Sequence, residues 1–218
     1  LQKLPELYGS GSFCHFIWNI RIINWGRTGG LISLMNERRA KLLEVYRDNK
    51  IKGMEILLDN LSDPHNVGAI TRTADGFGIN DILLYYTYNE CPEMKCIGFS
   101  SSSGANKWLN YHNVAIEQVK EKKAQGYRMI ATYIDPGAVQ LTDYVFPEKC
   151  LIMMGSEHQG LSPELKELAD DVIYIPMVGM VESFNVSVAA SLFLYEMFRQ
   201  KSQGRSFEKI QQFRGKRQ

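Results

Sequence analysis

IPMVGMVESFNVSVAASLFLYE, residues 175–196, begins as an apolar strand and ends as an almost wholly apolar helix. Between the two lies Glu182-Ser183-Phe184-Asn185, a polar turn flanked by segments built for burial. One reading is capping: Ser183 or Asn185 accepts from the first free N–H groups of the following helix, worth about 1 kcal/mol. The other is that the turn belongs to a binding or catalytic site and caps the helix as well. The helix itself, with Ser187, Ser191 and Glu196 as its main polar interruptions, needs apolar cover on every side.

Upstream, the same alternation of strand and helix recurs. Residues 54–59, 81–86, 127–134, 150–155 and 172–176 are short, apolar and rich in β-branched or aromatic side chains, as buried strands are. Residues 65–77, 114–125, 163–169 and 185–199 have helical character, and Gly76, Gly78 and Gly126 supply stops. Strands alternating with helices predict an α/β fold, a mostly parallel sheet with helices on both faces.

At 218 residues, with 44% hydrophobic and 22% charged side chains, the chain is sized for one soluble α/β domain. No apolar run approaches the roughly 18 residues of a membrane span. The patch at 13–23 is broken by His15, Asn19 and Arg21 and lacks the flanks of a signal peptide. Cys14, Cys91, Cys96 and Cys150 form no CxxC pair, so reduced thiols in a cytoplasmic protein are expected. The net charge of +1 conceals a division: residues 53–198 carry nine basic and nineteen acidic side chains, whereas residues 199–218 carry seven basic and one acidic. Residues 36–52 add six basic and three acidic. An acidic body with basic ends places any polyanion at the ends. Phe207, Ile210 and Phe213 recur at helical spacing in the basic tail. Residues 1–34 show no periodicity and precede Met35, which opens a charged helix; they read as a non-native or atypical extension before a domain at 35–200 and a basic tail at 201–218.

Two phosphate-loop readings fail. GSEHQGLS (155–162) has G-x-x-x-x-G spacing after a strand, but Leu161 stands where the phosphate-reaching lysine is required. GFGIND (76–81) ends a helix instead of starting one. His15, His65, His112 and His158 are scattered without a Cys or carboxylate at ligand spacing, so no metal is expected. Three polar clusters remain, at 59–78, 154–162 and 175–190, each at the carboxyl end of an expected strand. In parallel sheets those ends share one rim, where ligands bind.

In order and length, the three clusters resemble the signature motifs of the SpoU/TrmH family of RNA ribose 2′-O-methyltransferases, in the SPOUT superfamily. NVGAITRTAD, GSEHQGLS and IPMVGMVESFNVSVAASLFLYE carry the resemblance, with SSSSGANKWLNYH and MIATYI between them. It spans about 35–200 and is nearest to the members that methylate guanosine-18 of the tRNA D-loop. The resemblance implies a C-terminal deep trefoil knot, an outcome ordinary topology rules do not reach, and S-adenosylmethionine as cofactor. At the matching positions Thr132, Gly155, Ile175 and Phe184 line the cofactor slot. Arg72 is the central catalytic residue by resemblance, and Asn66, Glu157, Ser183 and Asn185 support it and the ribose. Because guanidinium stays protonated, Arg72 is expected to contact the 2′-hydroxyl and a phosphate, lowering the hydroxyl's pKa or accepting its proton only transiently. Its bland alternative is a surface ion pair with Asp75. The family also implies a homodimer closed over the last helix and tRNA as partner. Methylation of ribosomal RNA or another tRNA position stays open, as does a noncatalytic RNA-binding member, although intact polar motifs argue against the last.

Overall fold

A computed structural model describes residues 29–91 and 108–207. The elements run α1 (Gly29–Asn49), β1 (Met54–Asp59), α2 (Pro64–Gly76), β2 (Asp81–Tyr85), β3 (Asn110–Asn113), α3 (Ile116–Ala124), β4 (Arg128–Thr132), β5 (Val139–Gln140), β6 (Cys150–Met154), α4 (Pro163–Leu168), β7 (Asp171–Tyr174) and α5 (Val186–Lys201). The strands form one seven-stranded sheet in the order β3-β2-β1-β6-β4-β7-β5, and every pairing is parallel. The expected sheet was mostly parallel; among the described residues it is wholly so.

Period-two alternation divides the sheet's side chains between two cores. Ile56, Leu58, Ile82, Leu84, Ile130 and Ile152 point to one face, where Val67, Ile70 and Ala74 of α2 and Ala190, Phe193, Leu194 and Met197 of α5 cover them. Leu57, Leu83, Met129, Leu151 and Met153 point to the other and meet Val119 of α3 and Leu165 of α4. Each fully buried side chain of this size contributes about 1.5–3 kcal/mol. Both faces are therefore covered, as a buried parallel sheet requires. Leu161, which breaks the phosphate-loop pattern, is 2% exposed and belongs to the second core.

Local chemistry sets the helix that opens the first motif. Asp63 caps α2, its Oδ1 accepting from His65 N at 2.8 Å, with Pro64 in the first turn. Gly78, at φ +73, turns the chain out of α2. Helix α1 begins at Gly29 and runs through Met35, so that methionine lies within a continuous helix. It is fastened to the body by Asn80 Nδ2, which donates to Tyr46 Oη at 2.6 Å and to the Trp108 carbonyl at 2.9 Å. Burial pushes the Tyr46 hydroxyl up to about 12.

Cys150 is buried and Cys91 half-buried, both as free thiols. No helix among the described residues is long and apolar enough to cross a membrane. Residues 1–28, the SSSSGANK segment, Cys14, Cys96, His15, Ile210, Phe213 and the rest of the tail lie outside the described residues.

Candidate active site

The strand order brings the three motifs together. Strand β1 lies beside β6, so the loop after β1 that opens α2 faces the loop after β6. Helix α5 returns against α2, and Thr73 Oγ1 comes 3.3 Å from Ser191 Oγ. The N-termini of α2 and α5 consequently meet at the carboxyl rim of the sheet.

One residue from each motif converges there. Asn66 Nδ2 donates to Glu157 Oε1 at 2.8 Å, and Asn185 Nδ2 donates to the same oxygen at 2.9 Å. Asn185 Nδ2 also approaches Asn66 Oδ1 at 3.1 Å. Both amide orientations are thus fixed by a carboxylate oxygen that can only accept. Asn185 Oδ1 meanwhile accepts from Ser187 N at 2.9 Å and from Ser187 Oγ at 2.6 Å. Within the polar turn at 182–185, Asn185 thus caps α5 with one side-chain atom and joins the other two motifs with the other. Glu157 Oε2 has no partner among the described residues, and the side chain is exposed.

Two further expected site residues, Arg72 and Ser183, take no part in the hydrogen bonds of this triad. Arg72 is exposed two turns into α2 and makes no hydrogen bond or ion pair among the described residues. The alternative pairing with Asp75 is not formed; Asp75 Oδ1 accepts instead from Tyr46 Oη at 3.5 Å. Ser183 is exposed, and the hydrogen bonds of the triad do not include it.

The residues expected to hold the cofactor occupy the neighbouring strand ends. Thr132, Gly155 and Ile175 sit at or just beyond the carboxyl ends of β4, β6 and β7, three adjacent strands. Thr132 Oγ1 donates to the Met153 carbonyl at 2.9 Å, which turns the side chain onto the sheet. Gly155 is tightly enclosed by backbone: an added Cβ would lie 2.2 Å from Gly160 C and 2.3 Å from Leu161 N. The loop closing over it is pinned by paired bonds, Ser156 N to Gly160 O at 3.1 Å and Gly160 N to Ser156 O at 2.9 Å. Gly160 makes the turn at φ +68. Ile175 packs partly buried against the first core, whereas Phe184 is 38% exposed.

Sequence reasoning missed a second polar cluster beneath the rim. Asp59 is fully buried and accepts from Ser162 N at 2.6 Å, Ser162 Oγ at 2.9 Å and Asn60 Nδ2 at 2.7 Å. Burial raises its carboxyl above the usual range, against the pull of those three bonds. The signal was present: Asp-Asn ends an otherwise apolar strand, where a chain that only needed burial would not place a carboxylate. Among the described residues no group of His, Cys, Asp or Glu has the arrangement of a metal site.

An all-parallel sheet whose polar groups gather at the carboxyl ends of its strands belongs to the α/β proteins that bind ligands at that rim. Within that class the chain belongs to the SpoU rRNA Methylase family, which it matches over residues 53–195. It is 34% identical over 172 residues, 78% of this chain and 80% of the relative, to the tRNA (guanosine(18)-2′-O)-methyltransferase of Aquifex aeolicus (strain VF5). The protein of that name from Escherichia coli (strain K12) is 35% identical over 166 residues, 75% of this chain and 70% of the relative. The crystal structure of an A. aeolicus TrmH/SpoU tRNA modifying enzyme superimposes with a TM-score of 0.70 at 31% identity, covering 82% of this chain and 93% of that one. The SpoU methyltransferase AviRb from Streptomyces viridochromogenes, solved in complex with AdoMet, matches with a TM-score of 0.60 at 29% identity, over 69% of this chain and 58% of that one. The family implied by the three sequence motifs is the family found.

Proposed function

We propose that the protein transfers a methyl group from S-adenosylmethionine to a ribose 2′-hydroxyl of tRNA, at guanosine-18. The observation that carries this reading is the convergence of Asn66, Glu157 and Asn185, one from each family motif, on a single carboxylate oxygen. The constellation leaves Glu157 Oε2 open at the strand rim, an acceptor that a ribose hydroxyl can use. Relatives named for guanosine-18 methylation over most of their length support the nucleotide.

The rim fits the cofactor. Gly155 carries no side chain because the 160–161 backbone fills that space, which folds the second-motif loop tightly at the end of β6 and keeps its main chain at the rim. Ile175 and Phe184 supply apolar walls, and Thr132 marks the strand end beside them. S-adenosylmethionine, when bound, supplies a methyl on a positively charged sulfur that an oxygen nucleophile attacks in line. The protein's task is then to hold the ribose and to stabilise negative charge on its 2′-oxygen. Arg72, unpaired among the described residues, is assigned the role of giving its guanidinium to that oxygen and to an adjacent phosphate, which lowers the hydroxyl's pKa so that its proton passes to solvent water as the oxygen takes the methyl group. Glu157, held through Oε1 by two amides, offers Oε2 to a ribose hydroxyl. Ser183 adds a donor from the α5 turn.

The same reading includes a C-terminal trefoil knot, supported by membership of the family over residues 53–195. It also includes a homodimer closed over α5, whose Val188, Leu192 and Tyr195 stay exposed in the single chain. The reading takes residues 35–200 as the catalytic domain and 201–218 as a basic tail whose residues beyond Phe207 contact RNA, in a cytoplasmic protein. The test is incubation with bulk tRNA and methyl-labelled S-adenosylmethionine, followed by nuclease mapping of the labelled nucleotide. Label at the 2′-oxygen of guanosine-18 is expected. Label elsewhere, or in ribosomal RNA alone, overturns the assignment of substrate; no label in any RNA overturns the activity.

A further inference from the structure

The carboxyl rim carries a second ordered loop, residues 86–91, that leaves β2 and takes no part in the triad. It is fixed from below by Asn60, which is fully buried and adopts φ 52. Asn60 Oδ1 accepts from three successive backbone N–H groups, those of Thr87 at 3.0 Å, Tyr88 at 3.2 Å and Asn89 at 3.2 Å. Its amide donates to Asp59 Oδ1 and to Thr87 Oγ1 at 3.1 Å, and its carbonyl accepts from Asn89 Nδ2 at 2.8 Å. Tyr86 Oη adds a bond to the Leu61 carbonyl at 2.6 Å. Through Asp59 and Ser162 the same anchor also holds the end of the second-motif loop. One buried pair therefore sets the two loops relative to each other.

What this anchoring presents is Tyr88. Its backbone is held, yet its ring is 47% exposed and belongs to neither core. Its hydroxyl lies 3.5 Å from Ser156 Oγ, one residue before Glu157 of the triad. An aromatic ring kept in solvent on a rigid backbone beside a ribose-orienting carboxylate contributes little to folding. It is suited to stacking on a planar ligand. Thr132 and Ile175, expected to wall the cofactor slot, close β4 and β7, whereas Tyr88 follows β2; the Gly155 end of that slot lies nearer, beside Ser156, so cofactor affinity has to be measured separately. Strands β2 and β4 are three spacings apart, about 14 Å at the usual distance between neighbours.

We propose that Tyr88 is a stacking platform for a nucleobase of the RNA substrate, holding the base on the β2 side of the rim while the triad orients a ribose. This rests on the RNA methyltransferase reading above. The test uses the full chain with Tyr88→Ala and Tyr88→Phe, tRNA transcripts, direct filter binding and steady-state methyl transfer, with S-adenosylmethionine titrated separately. Tyr88→Ala should weaken tRNA binding and raise its KM by about five- to a hundredfold, the range set by loss of one base–aromatic stack. Cofactor affinity and melting temperature should hold, because the ring is packed in neither core. Tyr88→Phe should rescue the loss, since the ring and not the hydroxyl does the stacking. Unchanged tRNA affinity in Tyr88→Ala, a Tyr88→Phe defect equal to that of Tyr88→Ala, or a matching loss of cofactor affinity each overturns the proposal. A wild-type protein that binds tRNA but transfers no methyl would instead count against the activity, and filter binding would still decide the role of Tyr88.

Discussion

Arg72 and Asn185 show how differently two side chains of one rim are embedded. Arg72 is exposed and bonded to nothing described, so removing it should cost stability within about 0.5 kcal/mol, as at other unengaged surface positions. Its proposed task lies in the transition state, and loss of one such charge-stabilising donor lowers turnover about a hundred- to a thousandfold. Arg72→Ala should therefore melt like wild type, bind cofactor normally and turn over poorly; normal turnover in calorimetrically intact protein would remove Arg72 from the mechanism. Asn185 has two duties that substitution can separate. Its Oδ1 caps α5 and its Nδ2 serves Glu157 and Asn66. Asn185→Ala loses both, with a cap cost of about 1 kcal/mol. Asn185→Asp keeps a good cap but replaces the donor by a second carboxylate facing Glu157. If the triad orders the site, turnover per folded molecule falls as far in Asn185→Asp as in Asn185→Ala, although α5 stays capped. A normal rate in Asn185→Asp would reduce the residue to a helix cap.

The elements that sequence made legible are those with a buried apolar period. Five strands and four helices lie within a few residues of the expected spans, because Ile56, Leu83, Ile130, Ile152 and Ile173 have nowhere else to go. Strands β3 and β5 were not foreseen. Asn110–Asn113 is polar and largely exposed, Val139–Gln140 is two exposed residues, and each lies at an edge of the sheet, where pairing needs no apolar run. The site was legible as three loops but not as a triad. Asn66 and Glu157 are 91 residues apart and Asn66 and Asn185 are 119, so their contact depends on β6 entering beside β1, which no local pattern encodes. The opposite rim carries a testable electrostatic clasp between elements. Arg128 at the start of β4 grips Asp171 at the start of β7 with Nε at 2.7 Å and Nη2 at 2.8 Å, and Tyr144 Oη adds a bond at 2.7 Å. The Arg128 hydrogen bonds hold the Asp171 carboxyl below its usual range. A carboxyl depressed by folding stabilises the fold above its unfolded value, and that contribution is lost as pH falls through the folded one. Asp171→Asn should therefore lower the melting temperature at neutral pH and flatten its decline on acidification. Parallel melting curves for the two proteins down the acid limb would show that the clasp is not linked to folding. Asp59, raised by burial, works in the opposite sense and belongs to the background of both curves.

For the whole molecule, charge and apolar surface set where partners bind. The body at 53–198 has ten more acidic than basic side chains, so long-range attraction for a polyanion falls to the basic ends. The first tail residues are structural: Arg205 Nη2 donates to the carbonyls of Asp48 and Lys50 at 3.2 and 3.3 Å, and Phe207 lies 5.5 Å from the Phe198 ring. Deletion of residues 208–218, with four basic and one acidic side chain, spares that packing. It should weaken tRNA binding and flatten its salt dependence by about 0.7–0.9 for each phosphate no longer neutralised, with cofactor affinity unchanged. An unaltered salt slope would move the RNA-binding surface elsewhere. The apolar surface makes the other demand. Helix α5 buries Val186, Ala190, Phe193, Leu194 and Met197 but leaves Val188, Leu192 and Tyr195 exposed at 47%, 39% and 53%. These three recur at spacings of four and three, one face of the helix. That face begins at Asn185, so whatever covers it borders the triad. In a twofold dimer the same stripe meets itself, burying apolar surface from both copies. Leu192→Glu puts a charge in the middle of the stripe while leaving the side chains that α5 buries in place. Sedimentation equilibrium should show the proposed dimer converted to monomer, with the melting transition of the monomer still cooperative and turnover lowered, because the proposed interface borders the triad. If Leu192→Glu sediments as the wild type does, α5 is not the dimer face. If it becomes a fully active monomer, the interface and the site are independent.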